Sequence, residues 1–275
     1  AMNFNTVYQL VRRVREADSA LNRAKTLLLM PDLLGYFLTG EKASEFTNVT
    51  TTNLYSVIAQ DWDYDLIRKL GIPEGIFTRI DRAGSLRGRL LPDVASELGI
   101  SRVPFAAVGT HDTASAVAAI PGEGSFAFCS SGTWSLFGIE TEDPLLGESI
   151  YQANFSNEGT VQGGFRPLRN IMGQWIMQEC RRDWTKQGVE LSWKEIDDLT
   201  AQTKPFTAII DPDDAPFFSA GDMCNKIARY CEKTGQHVPQ TPGETARCVY
   251  ESLALKYRWA LEWLQQMKGE RIDTL

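Results

Sequence analysis

The chain of 275 residues is poor in histidine, has no paired cysteine motif and carries no excess of positive charge. His111 and His237 are its two histidines, and its five cysteines (Cys129, Cys180, Cys224, Cys231 and Cys248) are scattered without a Cys-x-x-Cys pair. That pattern argues against a zinc site, which needs such residues clustered at ligand spacing. An odd count of scattered thiols fits reduced cysteines, with Cys231 and Cys248 on neighbouring expected helices where oxidation would join them. Net charge is −7, which excludes a broad electrostatic footprint for nucleic acid or an anionic membrane surface and leaves room for a local phosphate pocket. The apolar runs, such as Leu27 to Pro31 and Phe105 to Val108, are far too short to span a bilayer. No charged-then-apolar leader opens the chain, so no signal peptide and a cytoplasmic location are expected.

What is present suits a globular protein of ordinary composition, 43% hydrophobic and 23% charged, with enough length for two domains. Val7 to Ala17 reads as an amphipathic helix and Lys25 to Leu38 as a second, apolar one closed by Gly40. Pro31 implies a boundary or kink inside the latter. The Thr/Asn-rich stretch Phe46 to Leu54 does not suit a core helix. Asp63 to Leu70 is an expected short helix ended by Gly71. Val103 to Val108 reads as a buried strand, followed by a polar turn at Gly109 to Thr113 and a helix over Ala114 to Ile120. Pro121-Gly122-Glu123-Gly124 is the expected boundary between two domains, 1–120 and 121–275. Beyond it, Ser125 to Cys129 and Thr133 to Ile139 read as a hairpin, Pro167 to Arg181 as a helix, and Thr241 to Met267 as a long helix that opens on a capping box and ends at Gly269.

Four constellations bear on chemistry. Asp112, at a strand-to-helix turn among glycine and hydroxyls, is placed to act as a general base; the alternative is that it caps the helix that follows. His111 beside it is either a substrate ligand or a satisfied core histidine. The Ser130-Ser131-Gly132-Thr133 turn offers backbone N–H groups and hydroxyls that suit phosphate oxygens, or is an ordinary tight turn. A third set runs from Asn157-Glu158-Gly159 through Arg166, Arg169, Asn170 and Gln178; within it Asn170, Gly173, Gln174 and Gln178 line one side of the expected helix, facing a ligand or solvent. Asp211-Pro212-Asp213-Asp214 collects three carboxylates, as a capped acidic turn or a metal site.

The order and identity of these segments carry more than any one of them. Asn5 to Leu10, Leu28 to Asp32, Phe37 to Gly40 and Glu45 to Thr52 resemble the sugar-binding half of the FGGY family of carbohydrate kinases. His111 to Val117, Ser130 to Leu136, Asn157 to Gly159, Leu168 to Gly173 and Asp211 to Asp214 resemble, within that family, the rhamnulokinases. The resemblance implies an α/β fold of two ribonuclease-H-like domains of the actin and hexokinase type, the first (1–120) belonging to the sugar domain and the second (121–275) to the ATP domain. It implies phosphorylation of L-rhamnulose by Mg2+-ATP, with Asp112 as the base, His111 and Thr113 binding sugar, Asn170 also at the site, and Gly132, Thr133 and Gln178 on the ATP side. Two segments usual in the family are not found: an Asp-x-Gly-x-x-Ser-x-Arg turn, where the chain instead opens Ala1-Met2-Asn3-Phe4, and a glycine-rich adenine-binding segment. The expectation is therefore a central fragment, truncated at both ends, inactive on its own and inclined to self-associate through unpaired strand edges. A kinase acting on fuculose, xylulose or gluconate, and a non-catalytic sugar-binding module, are the competing readings.

Overall fold

The computed structural model describes residues 5–122 and 124–275. The opening Ala1 to Phe4, and Glu123 within the expected boundary segment, lie outside the described residues. The chain divides into two compact units, residues 1–124 with 140–167, and residues 125–139 with 168–275.

In the first unit, α1 (Thr6–Arg15) turns Val7 and Leu10 into a core shared with Leu21, Val49, Leu54, Trp62, Ile67, Ile72 and Ile76. Leu21 comes from α2 (Ser19–Arg23), which Asp18 caps by accepting from the Ala20 N–H. The expected helix over Lys25 to Leu38 is corrected. Helix α3 spans Met30–Thr39, with Pro31 in its first turn and Gly40 in the left-handed conformation at its end. Residues 25–29 lie outside it, and the Leu27 N–H bonds the Ile76 carbonyl. Proline cannot supply an interior helix N–H but fits the first turn, so Pro31 starts this helix rather than kinking it.

The Thr/Asn-rich stretch is also corrected, because it is helical and buried. After β1 (Ser44–Glu45), α4 (Phe46–Val49) runs into a 3-10 turn over Thr50–Thr52. Its hydroxyls bond back to carbonyls three residues earlier, Thr50 to Thr47 and Thr52 to Val49, so the polar atoms are satisfied without water. The hairpin β2 (Tyr55–Ser56) and β3 (Asp61–Trp62) leads to α5 (Tyr64–Lys69), capped by Asp63. Strand β4 (Ile80–Asp81) pairs in parallel with β1. Strand β5 (Leu86–Arg89), helix α6 (Pro92–Glu97) and strand β6 (Pro104–Ala106) follow, with β5 and β6 antiparallel. β6 lies within the expected strand, but Pro104 and Ala106 are exposed rather than buried. Arg87 of β5 pairs with Asp32 at 2.7 Å and Asp81 at 3.0 Å, the three side chains being almost wholly inaccessible. Helix α7 (Asp112–Ala118) ends this stretch.

The second unit opens with the expected hairpin, β7 (Ala127–Ser131) and β8 (Trp134–Ile139). The chain then returns to the first unit for α8 (Glu148–Gln152) and β9 (Ser156–Gly159). Pro167 to Met172 is not the start of a helix: it belongs to β10 (Phe165–Met172), whose residues from Leu168 onward pair antiparallel with β8. Helix α9 begins only at Trp175 (Trp175–Lys186). Helices α10 (Trp193–Gln202), α11 (Met223–Lys233) and α12 (Pro242–Lys268) complete the unit. Buried Asp183 of α9 accepts from the first N–H groups of α11, at Met223 and Cys224, supplying partners that a helix start lacks internally. Thr241 caps α12, while Glu244 reaches back to the Gln240 N–H. Tyr257 of α12 stacks on Phe137 of β8 at 5.7 Å and shares a hydrogen bond with Ser135. Cys231 and Cys248 are buried free thiols. No described helix is long and apolar enough to cross a membrane.

Candidate functional site

The turn before α7 is held from below by one buried carboxylate. Glu45, fully inaccessible, accepts from the Thr47 N–H and hydroxyl and from the N–H and hydroxyl of Thr110, both of the latter at 3.0 Å. The Thr47 hydroxyl in turn accepts from the His111 N–H at 3.1 Å. Phosphate- or sugar-sized ligands need side chains presented without slack, and this network fixes the backbone on which His111, Asp112 and Thr113 stand.

Asp112 is the first residue of α7 and the cap position is His111. The Asp112 carboxylate accepts from its neighbour, the Thr113 N–H at 2.7 Å, rather than from the N–H groups one turn on that a capping side chain takes. Its side chain is 96% exposed, so it is a tethered carboxylate open to solvent. Thr113 is buried beneath it. His111 is mostly buried, its Nδ1 3.0 Å from Arg166 Nη2 and 3.5 Å from Glu158, and its Nε2 3.7 Å from Asp112. Burial holds the imidazole below its ordinary pKa; the Arg166 charge acts the same way, and Glu158 opposes both. Arg166 is wholly inaccessible and bonds Glu158 at 3.2 Å. Gly159, next to Glu158, has no room for a side chain, since a Cβ there would stand 2.5 Å from the Phe46 ring.

In the second unit, Gly132 and Thr133 form the exposed turn between β7 and β8. The turn's carbonyls are tied to the start of α9: Thr133 accepts from Gly173 and Trp175, and Gly132 accepts from Gln174. Gly132 and Thr133 are exposed, and the Thr133 hydroxyl has no hydrogen-bond partner among the described residues. Asn170 lies on β10 opposite Leu136, so Asn170, Gly173, Gln174 and Gln178 do not form one helical row. Gln178 stands on α9 and lines an open groove of about 500 Å³ with Arg181, Arg182, Thr185, Lys186 and Trp193. The expected site residues thus fall into two groups, His111, Asp112 and Thr113 in one unit and Gly132, Thr133, Asn170 and Gln178 in the other. Among Asp211, Asp213 and Asp214 the carboxylates are spent on Lys256, Arg169 and local N–H groups.

Sequence reasoning did not find Glu45 and Arg166 as supports. Both reach the turn or its histidine through contacts spanning 55 or more residues; Arg166 stood out in the sequence only as one of the polar residues that could face a ligand.

Residues 1–119 match the N-terminal domain, and residues 127–275 the C-terminal domain, of the FGGY family of carbohydrate kinases. The chain belongs to this family. It is 41% identical over 275 residues to a protein named rhamnulokinase from Bacteroides thetaiotaomicron, covering all of this chain and 56% of that protein. It is 38% identical over 268 residues to a rhamnulokinase from Oceanobacillus iheyensis, covering 96% of this chain and 55% of that one. The chain spans about half the length of the curated relatives it matches. Among solved structures it is similar to a xylulose kinase from Rhodospirillum rubrum (TM-score 0.75, 15% identity, 98% of this chain and 54% of that one). A glycerol kinase from Plasmodium falciparum with ADP is also similar (TM-score 0.68, 14% identity, 98% and 53%). The FGGY-kinase fold, of the actin and hexokinase type, is therefore the fold of this chain, which is a mixed helix-and-sheet protein spanning about half of those structures.

Proposed function

We propose that this chain carries sugar-binding and phosphate-binding residues of a kinase that transfers the γ-phosphoryl group of ATP to the 1-hydroxyl of L-rhamnulose. The observation that carries the reading is Asp112, an exposed carboxylate on a turn locked by a buried acid, in a chain 41% identical to a protein named rhamnulokinase.

Phosphoryl transfer asks a protein mainly to align the nucleophile and to offset phosphate charge. Asp112 accepts the proton of the attacking hydroxyl as that oxygen bonds to the γ-phosphorus and the bond to ADP breaks, leaving L-rhamnulose 1-phosphate and ADP. Neutral His111 and Thr113 hold the sugar beside it. The Gly132–Thr133 turn, with an open hydroxyl, suits phosphate oxygens, and Gln178 with its groove lies on the nucleotide side; Asn170 completes the polar set. Mg2+, a hard cation that keeps few protein ligands and favours phosphate oxygens, would offset charge on the ATP phosphates. The hydroxyl-rich turn fits that arrangement, since it offers oxygen donors and no competing thiolate or imidazole.

ADP release by the full-length protein carrying this sequence, offered L-rhamnulose, L-fuculose, D-xylulose and D-gluconate, tests the reading. Turnover dependent on L-rhamnulose supports it. Turnover on a different sugar alone corrects the substrate, and none at all favours a sugar-binding module.

A further inference from the structure

Arg166 is the side chain that the proposed reaction does not use and that packing does not explain. Its guanidinium is fully inaccessible, yet Nε and Nη1 have no hydrogen-bond partner among the described residues. Burying a charge with unmet donors works against folding, so the position gains something other than stability. The same group places Nη2 3.0 Å from His111 Nδ1 and 3.2 Å from Glu158. A guanidinium has only donors. At 3.0 Å the ring nitrogen facing it must accept, so Nδ1 bears no proton and a neutral ring carries its hydrogen on Nε2. Glu158, which could instead draw a proton onto Nδ1, stands farther away at 3.5 Å, and its near oxygen already accepts from Arg166. The other charged groups acting on the ring, Asp112 and Glu45, lie away from Nδ1: Asp112 faces Nε2 at 3.7 Å, and Glu45 is committed to Thr47 and Thr110.

We propose that Arg166 is a positioning residue that fixes His111 in the Nε2–H tautomer, so that His111 meets the sugar as a hydrogen-bond donor beside the Asp112 carboxylate. Without that clamp the ring can turn its lone pair towards the substrate, and two acceptors then face a sugar oxygen that needs one donor and one acceptor. The proposal rests on the kinase reading for its consequence in turnover, but the tautomer itself is independent of it.

Two-bond 1H–15N spectra of the 15N-histidine-labelled full-length protein at pH 7 read the ring directly. The expected pattern for His111 is protonated Nε2 and bare Nδ1. A protonated Nδ1, or a cationic ring, would overturn the proposal whatever the enzyme assay gives. Arg166→Met should mix the tautomers and raise the apparent His111 pKa, because a neighbouring positive charge has been removed. Arg166→Lys, which keeps a cation for Glu158 but not the fork of donors, covers the case in which the methionine variant fails to fold, and should also loosen the tautomer.

Kinetics separate positioning from mere support. Arg166→Met should lower kcat/KM for the sugar by about 10- to 100-fold, by analogy with the loss of an outer partner that orients a metal-ligating histidine. In the His111→Gln background, whose amide N–H occupies the Nε2 position and has no tautomer to choose, the same change should cost no more than about threefold. Equal losses in both backgrounds would make Arg166 structural only. If no sugar is phosphorylated, the kinase reading fails while the spectra still decide the tautomer.

Discussion

Two glycines meet at the β7–β8 turn, and only one of them is required by space. Neither Gly132 nor Gly173 has a left-handed φ, so backbone conformation does not demand glycine at either. A Cβ on Gly173 would stand 2.6 Å from the Ser135 hydroxyl, 2.9 Å from the Gly132 carbonyl and 2.9 Å from the Ser135 nitrogen. Two of those atoms are backbone in the β7–β8 hairpin and cannot swing aside. Gly173→Ala must therefore push the start of α9 away from the hairpin, at about 1–3 kcal/mol for overpacking. It also weakens the bonds from Gly173 to Thr133 and from Gln174 to Gly132, each worth about 1 kcal/mol. If both bonds are lost the sum is about 3–5 kcal/mol. On Gly132 a Cβ meets only the Trp134 carbonyl, at an ordinary 3.6 Å, so Gly132→Ala should stay within about 0.5 kcal/mol of the parent. Urea unfolding followed by tryptophan fluorescence, with Trp134 and Trp175 flanking the junction, measures both. Equal costs, or a larger cost at Gly132, would refute the reasoning.

Other perturbations probe the supports of each unit. Glu45→Gln replaces one acceptor oxygen with an amide NH2 and turns that donor towards the donors of Thr47 and Thr110; it should cost about 2–4 kcal/mol and speed amide exchange at Thr110, read by thermal melts and hydrogen exchange. Arg87→Met leaves Asp32 buried without its cation and should cost about 3–5 kcal/mol at pH 7. Burial already raises the Asp32 pKa against the pull of Arg87. The folded state of such an acid binds its proton more tightly than the unfolded chain, so the penalty should shrink as pH falls from 7 towards 5; a penalty independent of pH would contradict this. Asp211 behaves in the opposite sense: burial pushes its pKa up, but the Lys256 hydrogen bond and the other favourable contacts outweigh it and the net shift is downward. Its stabilisation is present above the ordinary aspartate range and lost as pH falls through the lowered pKa. Lys256→Met should thus cost about 1–2 kcal/mol at pH 7, discounted for the half-exposed acid, with the difference closing below about pH 4 in urea melts.

Local chemistry made some elements readable. Thr241 and Pro242 start α12 and Gly269 ends it, and Asp63 with Gly71 brackets α5, because caps and left-handed stops are written in single residues. The small-residue turn at Gly132 and Thr133 marked its hairpin for the same reason. Strand β10 was missed because Phe165 to Leu168 and Ile171 to Met172 are buried. A strand covered on both faces loses the alternation that identifies strands, and Leu168, Ile171 and Trp175 then mimic a helical stripe. The Thr-rich turn at Thr47–Thr52 misled through composition, since its hydroxyls are satisfied by its own carbonyls. At the site, Asp112 was legible as a carboxylate in a turn. The role of Glu45 was not, because Thr110 is distant in sequence; Arg166 and Glu158 stood out only as polar residues that could face a ligand, and the bond from Arg166 to His111, 55 residues apart, has no local signature.

The most direct test of Asp112 as the base is the steady-state rate of ADP release with L-rhamnulose for the full-length protein and its Asp112→Asn variant. The carboxylate is exposed and, among the described residues, its hydrogen bonds are to Thr113, so the substitution should leave the melting temperature unchanged. If Asp112 takes the proton, kcat falls by about 10²–10⁴-fold while KM moves little. A variant that folds normally and keeps near-full turnover would contradict that role.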